Sequence, residues 1–211
     1  MQKLVLTLVG IGALIAGFLV FNGLPQTAEP QPQALVYNPP RALAPFTLSG
    51  HDGELVSNQQ LHGQWTLLFT GYTFCPDICP TTMADLRRIM PQLVSASELP
   101  VKVWMISVDP LRDDVQRVKS YASFFGDEFY GVRAEHPQLY PFVTDLGLMY
   151  SIPDEGETDY LVNHSAAIVL VDPNGNRHAI FNAEHQLGEL PTVNMDKLVS
   201  DFSIIAKRFR Y

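Results

Sequence analysis

Two cysteines, the only ones in the chain, lie four positions apart in the segment Cys75–Pro80. The apolar run Trp65–Thr70 precedes them and a helical pattern follows, so the two sulfurs lie where a strand leads into a helix. Unpaired backbone N–H groups at a helix N-terminus stabilise a thiolate, which is the form that attacks disulfides and binds metals. The pair can therefore form a disulfide, exchange electrons with another thiol, or bind a soft metal.

A purely structural disulfide is a weak explanation for this pair, because so short a loop removes little entropy from the unfolded chain. Redox exchange and metal binding remain, and a third ligand would separate them. Six histidines are candidates: His51, His62, His136, His164, His178 and His185. His164 is the best placed because it precedes the apolar run Ala166–Val171. If that strand lies antiparallel to Trp65–Thr70, its beginning adjoins the end of the other strand, close to the cysteines.

Two thiolates and one imidazole form a three-coordinate soft site that suits Cu(I), or Cu(II) if another ligand joins. Zinc would need a fourth ligand or a water molecule. Asp109 follows the next strand and points to the same end of the sheet, where it could support the site; a turn or helix-capping role is the alternative. Five methionines are interpreted as core residues rather than copper ligands: Met83, Met90, Met105, Met149 and Met195.

The remaining pattern is one of strands that alternate with helices. Strands are predicted at Trp65–Thr70, Val101–Val108, Tyr130–Arg133, Ala166–Val171 and Arg177–Phe181, and helices at Thr81–Val94, Asp113–Phe125, Pro137–Leu148 and Val193–Phe209. This order predicts a three-layer α/β domain with a central mixed sheet.

The first residues predict a membrane anchor ahead of that domain. No charged residue occurs in Leu4–Leu24, and as a helix this run would span about 30 Å, the thickness of a bilayer core. Residues 1–24 are therefore predicted to form a transmembrane helix, with a cleaved signal peptide as the alternative. Six prolines between Gly23 and Pro45 indicate a linker over residues 25–44, so the folded domain is predicted to occupy residues 45–211.

Charge suggests the orientation and excludes one class of partner. Lys3 precedes the apolar run and the next basic residue is Arg41, which favours the N-terminus inside and the domain outside. In a bacterium this is a single-pass protein of the inner membrane whose domain faces the periplasm, where disulfides are permitted. A net charge of −8 without a basic cluster argues against nucleic acid as a partner.

Three blocks, in this order, resemble the Sco (SenC) family. They are the cysteine block Gly71–Pro80, the strand end Ile106–Pro110, and Val162–Ser165 together with Val171–Gly175. The resemblance extends from about Pro45 to Phe209, and a membrane anchor ahead of the domain is also usual in the family.

This resemblance implies a thioredoxin-like fold and a membrane-anchored copper metallochaperone that helps to build the CuA centre of cytochrome c oxidase. By position, Cys75, Cys79 and His164 would be the copper ligands, and Asp109 would support them. The implied partners are the CuA-bearing oxidase subunit and a copper donor protein or thiol reductant. The alternative is a thiol–disulfide oxidoreductase that reduces the CuA cysteines with Cys75 and Cys79. Phe74 departs from members that carry histidine at that position, as Asn163 does from members that carry aspartate.

Overall fold

The chain divides into two compact units, Met1–Pro30 and Gln31–Tyr211. The computed structural model describes residues 2–23, 30–154, 156, 160–185, 188 and 190–210. Helix α1, Gln2–Gly23, forms most of the first unit. A helix was expected here, but a search of the described residues finds none that is both long and apolar enough to cross a membrane. The predicted transmembrane span is therefore not supported.

The second unit is built on one eight-stranded mixed sheet. Its strands are β1 (Leu35–Ala42), β2 (Thr47–Gly50), β3 (Leu55–Ser57), β4 (Trp65–Gly71), β5 (Val101–Ser107), β6 (Phe129–Arg133), β7 (Ile168–Val171) and β8 (Asn176–Phe181). Across the sheet they lie in the order β1-β8-β7-β4-β5-β6-β2-β3. Strand β4 pairs in parallel with β5 and antiparallel with β7. The predicted mixed sheet is confirmed.

Strand β4 lies in the interior of this sheet, and every residue of Trp65–Gly71 is buried. A strand covered on both faces needs a nearly continuous apolar run rather than alternating polar and apolar residues. The sequence Trp65–Phe69 meets that requirement. The prediction of a central strand directly before the cysteines is confirmed.

Among the described residues, four α-helices cover the two faces of the sheet. They are α2 (Ile78–Ser95), α3 (Val115–Ser123), α4 (His136–Asp145) and α5 (Met195–Arg208). Apart from Cys79, the buried apolar side chains of α2, α3 and α5 share one core with one face of the sheet, whereas those of α4 join the core on the other face, which also contains both cysteines. The three-layer α/β architecture is confirmed. Helix α2 begins at Ile78 rather than at the predicted Thr81, so Cys79 lies in its first turn.

Strand β1 lies within residues 25–44, where the sequence predicted a linker. Residues 35–42 pair antiparallel with β8, and the compact unit begins at Gln31. Pro39 and Pro40 argue against a strand in the sequence, because proline lacks the N–H group that a strand inside a sheet must donate. They are tolerated because β1 is an edge strand, and its register with β8 shifts between Val36 and Arg41.

Candidate metal centre

The two cysteines lie where β4 leads into α2, with Cys75 on the connecting loop and Cys79 in the helix. The N–H group of Cys75 donates to the carbonyl of Tyr72 at 3.2 Å, which folds the loop back, and Cys79 follows in the first turn of α2. Cys79 is fully buried, with 1% of the residue exposed, and Cys75 is the more accessible of the two, with 8% exposed. Gly71 leaves room for them, since a Cβ atom on Gly71 would lie 3.2 Å from the Cys79 sulfur.

His164 lies beside these sulfurs because β7 is antiparallel to β4. The loop before β7 therefore meets the end of β4, where the Thr70 hydroxyl donates to the carbonyl of Ser165 at 3.0 Å. The His164 Nε2 atom lies 3.5 Å from the Cys79 Sγ atom, and one ligand atom from each of Cys75, Cys79 and His164 lies within 4.8 Å of the others. The structure thus brings together the three residues that the sequence singled out.

The imidazole of His164 is oriented by its other nitrogen. Its Nδ1 atom lies 3.0 Å from the carbonyl oxygen of Ser165, which can only accept, so the proton is assigned to Nδ1. This leaves the lone pair of Nε2 on the side of Cys79. The ring also meets the ring of Tyr72 edge to face, with 5.9 Å between centroids. A fixed tautomer with one free nitrogen is the usual arrangement of a metal-binding histidine.

The pKa values of the two cysteines are shifted in opposite directions. A hydrogen bond from the Cys79 side chain lowers the pKa of Cys75 to about 3, against the opposing effect of burial, and the Cys79 backbone N–H adds to the lowering. That N–H group donates to the Cys75 sulfur at 3.4 Å. The same hydrogen bond, together with burial, raises the pKa of Cys79. Cys75 is therefore the thiolate of the pair and Cys79 the thiol.

This asymmetry predicts the titration of the metal-free, reduced protein. We expect ultraviolet absorbance from one thiolate at neutral pH, unchanged as the pH falls to about 5, because Cys75 ionises far below an ordinary thiol. In Cys79→Ala the remaining thiolate should titrate at a higher pH, because alanine cannot donate the side-chain hydrogen bond that Cys75 accepts from Cys79. Cys75→Ser, which removes the thiolate itself, is the control. Two thiols that both titrate near their ordinary pKa would contradict the prediction.

Asp113 holds the cysteine loop in place and was not identified from the sequence, which placed it only at the start of a helix. Its buried carboxylate accepts hydrogen bonds from the Thr73 N–H at 3.0 Å, from the Thr73 hydroxyl, and from the Ser107 hydroxyl at 2.6 Å. Burial nevertheless raises its pKa. The sequence offered one indication of this role. Ser107 ends β5 and Thr73 follows β4, so two hydroxyl donors lie at the same end of the sheet and need a common acceptor.

Asp109, which the sequence suggested as a support for the ligands, does not contact them directly. It is buried, and its carboxylate binds Arg112 Nε at 2.5 Å and the Tyr160 hydroxyl at 2.6 Å. Among the described residues, Asp109 makes no hydrogen bond to Cys75, Cys79 or His164. The side chains that its carboxylate bonds are Arg112 and Tyr160.

The outer face of the cysteine loop carries Phe74, which is 45% exposed. Its ring lies between two guanidinium groups, 5.1 Å from Arg112 and 4.6 Å from Arg117. Cation–π contacts of this kind hold an exposed aromatic ring in position. The residue that replaces histidine in this chain therefore supports the loop from outside.

The other histidines lie elsewhere. His51 accepts from the Gly131 N–H, His136 bonds the Tyr150 hydroxyl and His178 bonds Asp172. In the part of the chain that the structure describes, Cys75, Cys79 and His164 form the only group of three or more such residues that could hold a metal ion. Four of the five methionines are buried as predicted, but Met149 is 74% exposed, so its interpretation as a core residue is wrong.

The family assignment rests on both sequence and structure. The sequence profile of the SCO1/SenC family matches residues 37–194, which cover both cysteines and His164. The chain belongs to the SCO1/SenC family. A Stutzerimonas stutzeri protein named for copper binding is 35% identical over 153 residues, which are 72% of this chain and 75% of that protein. SCO1 homolog 1 of Arabidopsis thaliana mitochondria is 33% identical over 146 residues, or 69% of this chain and 44% of the relative.

Solved structures confirm that this SCO1/SenC member has the thioredoxin-like fold of the family. Arabidopsis thaliana ScoI with copper bound superposes with a TM-score of 0.69 at 29% identity, over 79% of this chain and 99% of that one. BsSco, described as a member of the Sco family of cytochrome c oxidase assembly proteins with a disulfide switch, superposes with a TM-score of 0.60 at 22% identity, over 83% and 99% of the chains. The second similarity concerns the fold alone.

Proposed function

We propose that this chain binds Cu(I) through Cys75, Cys79 and His164 and delivers it during assembly of the CuA centre of cytochrome c oxidase. The observation that carries the proposal is the donor set, in which two sulfurs and one imidazole nitrogen lie within 4.8 Å of one another. The copper-bound relative of the same family supports the identity of the metal.

The chemistry of these donors favours copper over harder metals. Thiolates are soft ligands that select Cu(I), and an imidazole completes a three-coordinate site. Cys75 is ionised in the free protein, whereas Cys79 must lose its proton when the metal binds. Copper uptake therefore releases a proton and strengthens as the pH rises.

The position of the site suits transfer rather than permanent storage. The cysteines lie at the carboxyl end of β4, and His164 is only partly buried. An acceptor thiolate can replace one ligand at a time, so copper need not pass through water as a free ion. Phe74 and its two arginines form the nearby outer surface.

The proposal is tested by Cu(I) titration of the reduced unit Gln31–Tyr211 against a competing chelator. We expect one copper per chain, and an affinity lower by about a hundredfold in His164→Ala, since that variant loses one of three ligands. His185→Ala is the matched control, because His185 is exposed. Wild-type affinity no greater than that of Cys75→Ser would contradict the proposal.

Thiol–disulfide exchange is a second candidate, favoured by the lowered pKa of Cys75. The Cys75 thiolate would attack a disulfide of the oxidase subunit and release one thiolate. Cys79 would then attack the mixed disulfide, releasing the second thiol and leaving Cys75 and Cys79 oxidised by two electrons. A thiol reductant would restore the pair. Reduction that survives His164→Ala but is lost in Cys75→Ser would favour this candidate over copper delivery.

We also propose that the copper-binding unit lies in the periplasm, tethered to the inner membrane by residues 1–24. The support is the uncharged run Leu4–Leu24 with Lys3 ahead of it. Membrane fractionation and alkaline extraction of the full chain, compared with a form that lacks residues 1–24, test the tether. Recovery of the full chain in the soluble fraction would contradict it.

A further inference from the structure

Tyr160 is a nearly buried residue four positions before His164 that copper binding itself does not use. Its hydroxyl donates to Asp109 Oδ1 at 2.6 Å, and its ring centroid lies 3.7 Å from the Arg112 guanidinium carbon. Arg112 in turn donates to Asp109 Oδ2 at 2.5 Å. We call these three mutually contacting side chains the Asp109 cluster.

The Asp109 cluster joins two separate parts of the chain. Asp109 and Arg112 follow β5, whereas Tyr160 belongs to the segment that leads to His164. A second bond ties the same segment to the cysteine loop, because the Val162 N–H donates to the Tyr72 hydroxyl at 3.3 Å. The segment that leads to His164 is therefore bonded to the β5 side of the sheet and to the loop that carries Cys75, while Asn163 and Ser165 on either side of His164 bond Ser151 and Met149.

We propose that Tyr160 is a positioning residue for His164: its hydrogen bond to Asp109 fixes the segment that carries the imidazole and so sets the placement of Nε2 relative to the two sulfurs. Asp109 then acts on the site through Tyr160 and not by contact with the metal. This inference rests on the proposed copper function, because it concerns the placement of one of the copper ligands.

Because the Asp109 cluster is buried, the hydrogen bond from Tyr160 to Asp109 can hold the segment before His164 in place. Only 1% of Asp109 and 8% of Tyr160 are exposed, so water replaces the lost partner poorly when the hydroxyl is removed. Burial, together with Asp109, raises the pKa of Tyr160 to about 12, which keeps the hydroxyl protonated as a donor. Residues that orient metal ligands typically change metal affinity by about ten- to a hundredfold when they are replaced.

The test is the Cu(I) affinity of Tyr160→Phe, measured both in the wild-type protein and in His164→Ala. We expect the affinity to fall about tenfold in the wild-type background and to remain unchanged in His164→Ala, where no imidazole is left to position. Tyr130→Phe is the control, because the Tyr130 hydroxyl also donates to an aspartate, Asp52, at 2.7 Å, in an exposed bond that involves none of the three ligands. An equal loss in both backgrounds, or no loss in either, would overturn the proposal.

A metal-free measurement separates this proposal from the copper function. In the reduced apoprotein, the imidazole NMR signals of His164 should shift or double in Tyr160→Phe and stay unchanged in Tyr130→Phe. If the wild-type protein fails to bind Cu(I), the proposed function fails, while these signals still test the positioning role. If wild-type binds Cu(I) but the His164 signals do not change in Tyr160→Phe, the positioning role fails alone.

Discussion

Replacing Cys79 with serine is expected to lower the Cu(I) affinity by about three orders of magnitude, since a soft ligand is exchanged for a hard hydroxyl. Cys79 is the most deeply buried of the three ligands, and its sulfur lies 3.5 Å from His164 Nε2. Its side chain is also the largest cause of the lowered pKa of Cys75. The substitution therefore removes one of the two soft ligands and exchanges the thiol that bonds the other sulfur for a hydroxyl.

Competition against a Cu(I) chelator measures this effect, with the thermal unfolding temperature recorded in parallel. Met195→Leu is a suitable control because it removes a sulfur from the core on the other face of the sheet from the cysteines, so its affinity should equal that of wild-type. A Cys79→Ser variant that keeps its copper affinity, while Cys75→Ser loses it, would exclude the two-sulfur site.

Replacing Asp113 with alanine should lower the free energy of unfolding by about 3 kcal/mol, because buried donors that lose their acceptor each cost roughly 1–3 kcal/mol. The carboxylate accepts from the Thr73 N–H, the Thr73 hydroxyl and the Ser107 hydroxyl. The raised pKa of Asp113 shows that burying it is itself costly, which keeps the net loss below the sum of three bonds. Urea unfolding of the metal-free protein measures the change.

Asp114→Ala gives a neighbouring comparison. Asp114 is exposed and caps α3 by accepting from the Arg117 N–H at 2.8 Å, so its loss should cost about 1 kcal/mol. The Asp113 variant should also bind Cu(I) more weakly because Thr73 lies on the cysteine loop, whereas the Asp114 variant should not. Equal stability losses in the two variants would show that Asp113 does not fasten the loop.

The three candidate ligands could be named from the sequence, but the approach of His164 to the cysteines depended on an assumed strand pairing. A continuous apolar run indicates a central strand, and the antiparallel placement of β7 beside β4 brings His164 to the cysteines. Strand β1 was missed because Pro39 and Pro40 break the local strand pattern, and only pairing with β8 compensates for them.

The surroundings of the site required the tertiary structure. Asp113 accepts hydrogen bonds from the hydroxyls of Thr73 and Ser107, which are far apart in the chain. Neither residue alone therefore indicates that Asp113 holds the cysteine loop. Asp109 points to the correct end of the sheet, but the sequence does not show that Arg112 and Tyr160 occupy its carboxylate. Met149 follows a hydrophobic spacing and is nevertheless exposed, since periodicity does not determine which face is covered.

The prolines of β1 have a further consequence for how copies of this protein behave at high concentration. An open sheet edge offers free N–H and C=O groups on which another chain can add a strand and begin to aggregate. Here one edge is β1, where Pro39 and Pro40 present no N–H groups, and the other is β3, which has only three residues, Leu55–Ser57. Both margins are poor templates for strand addition, which protects the folded unit against edge-to-edge self-association.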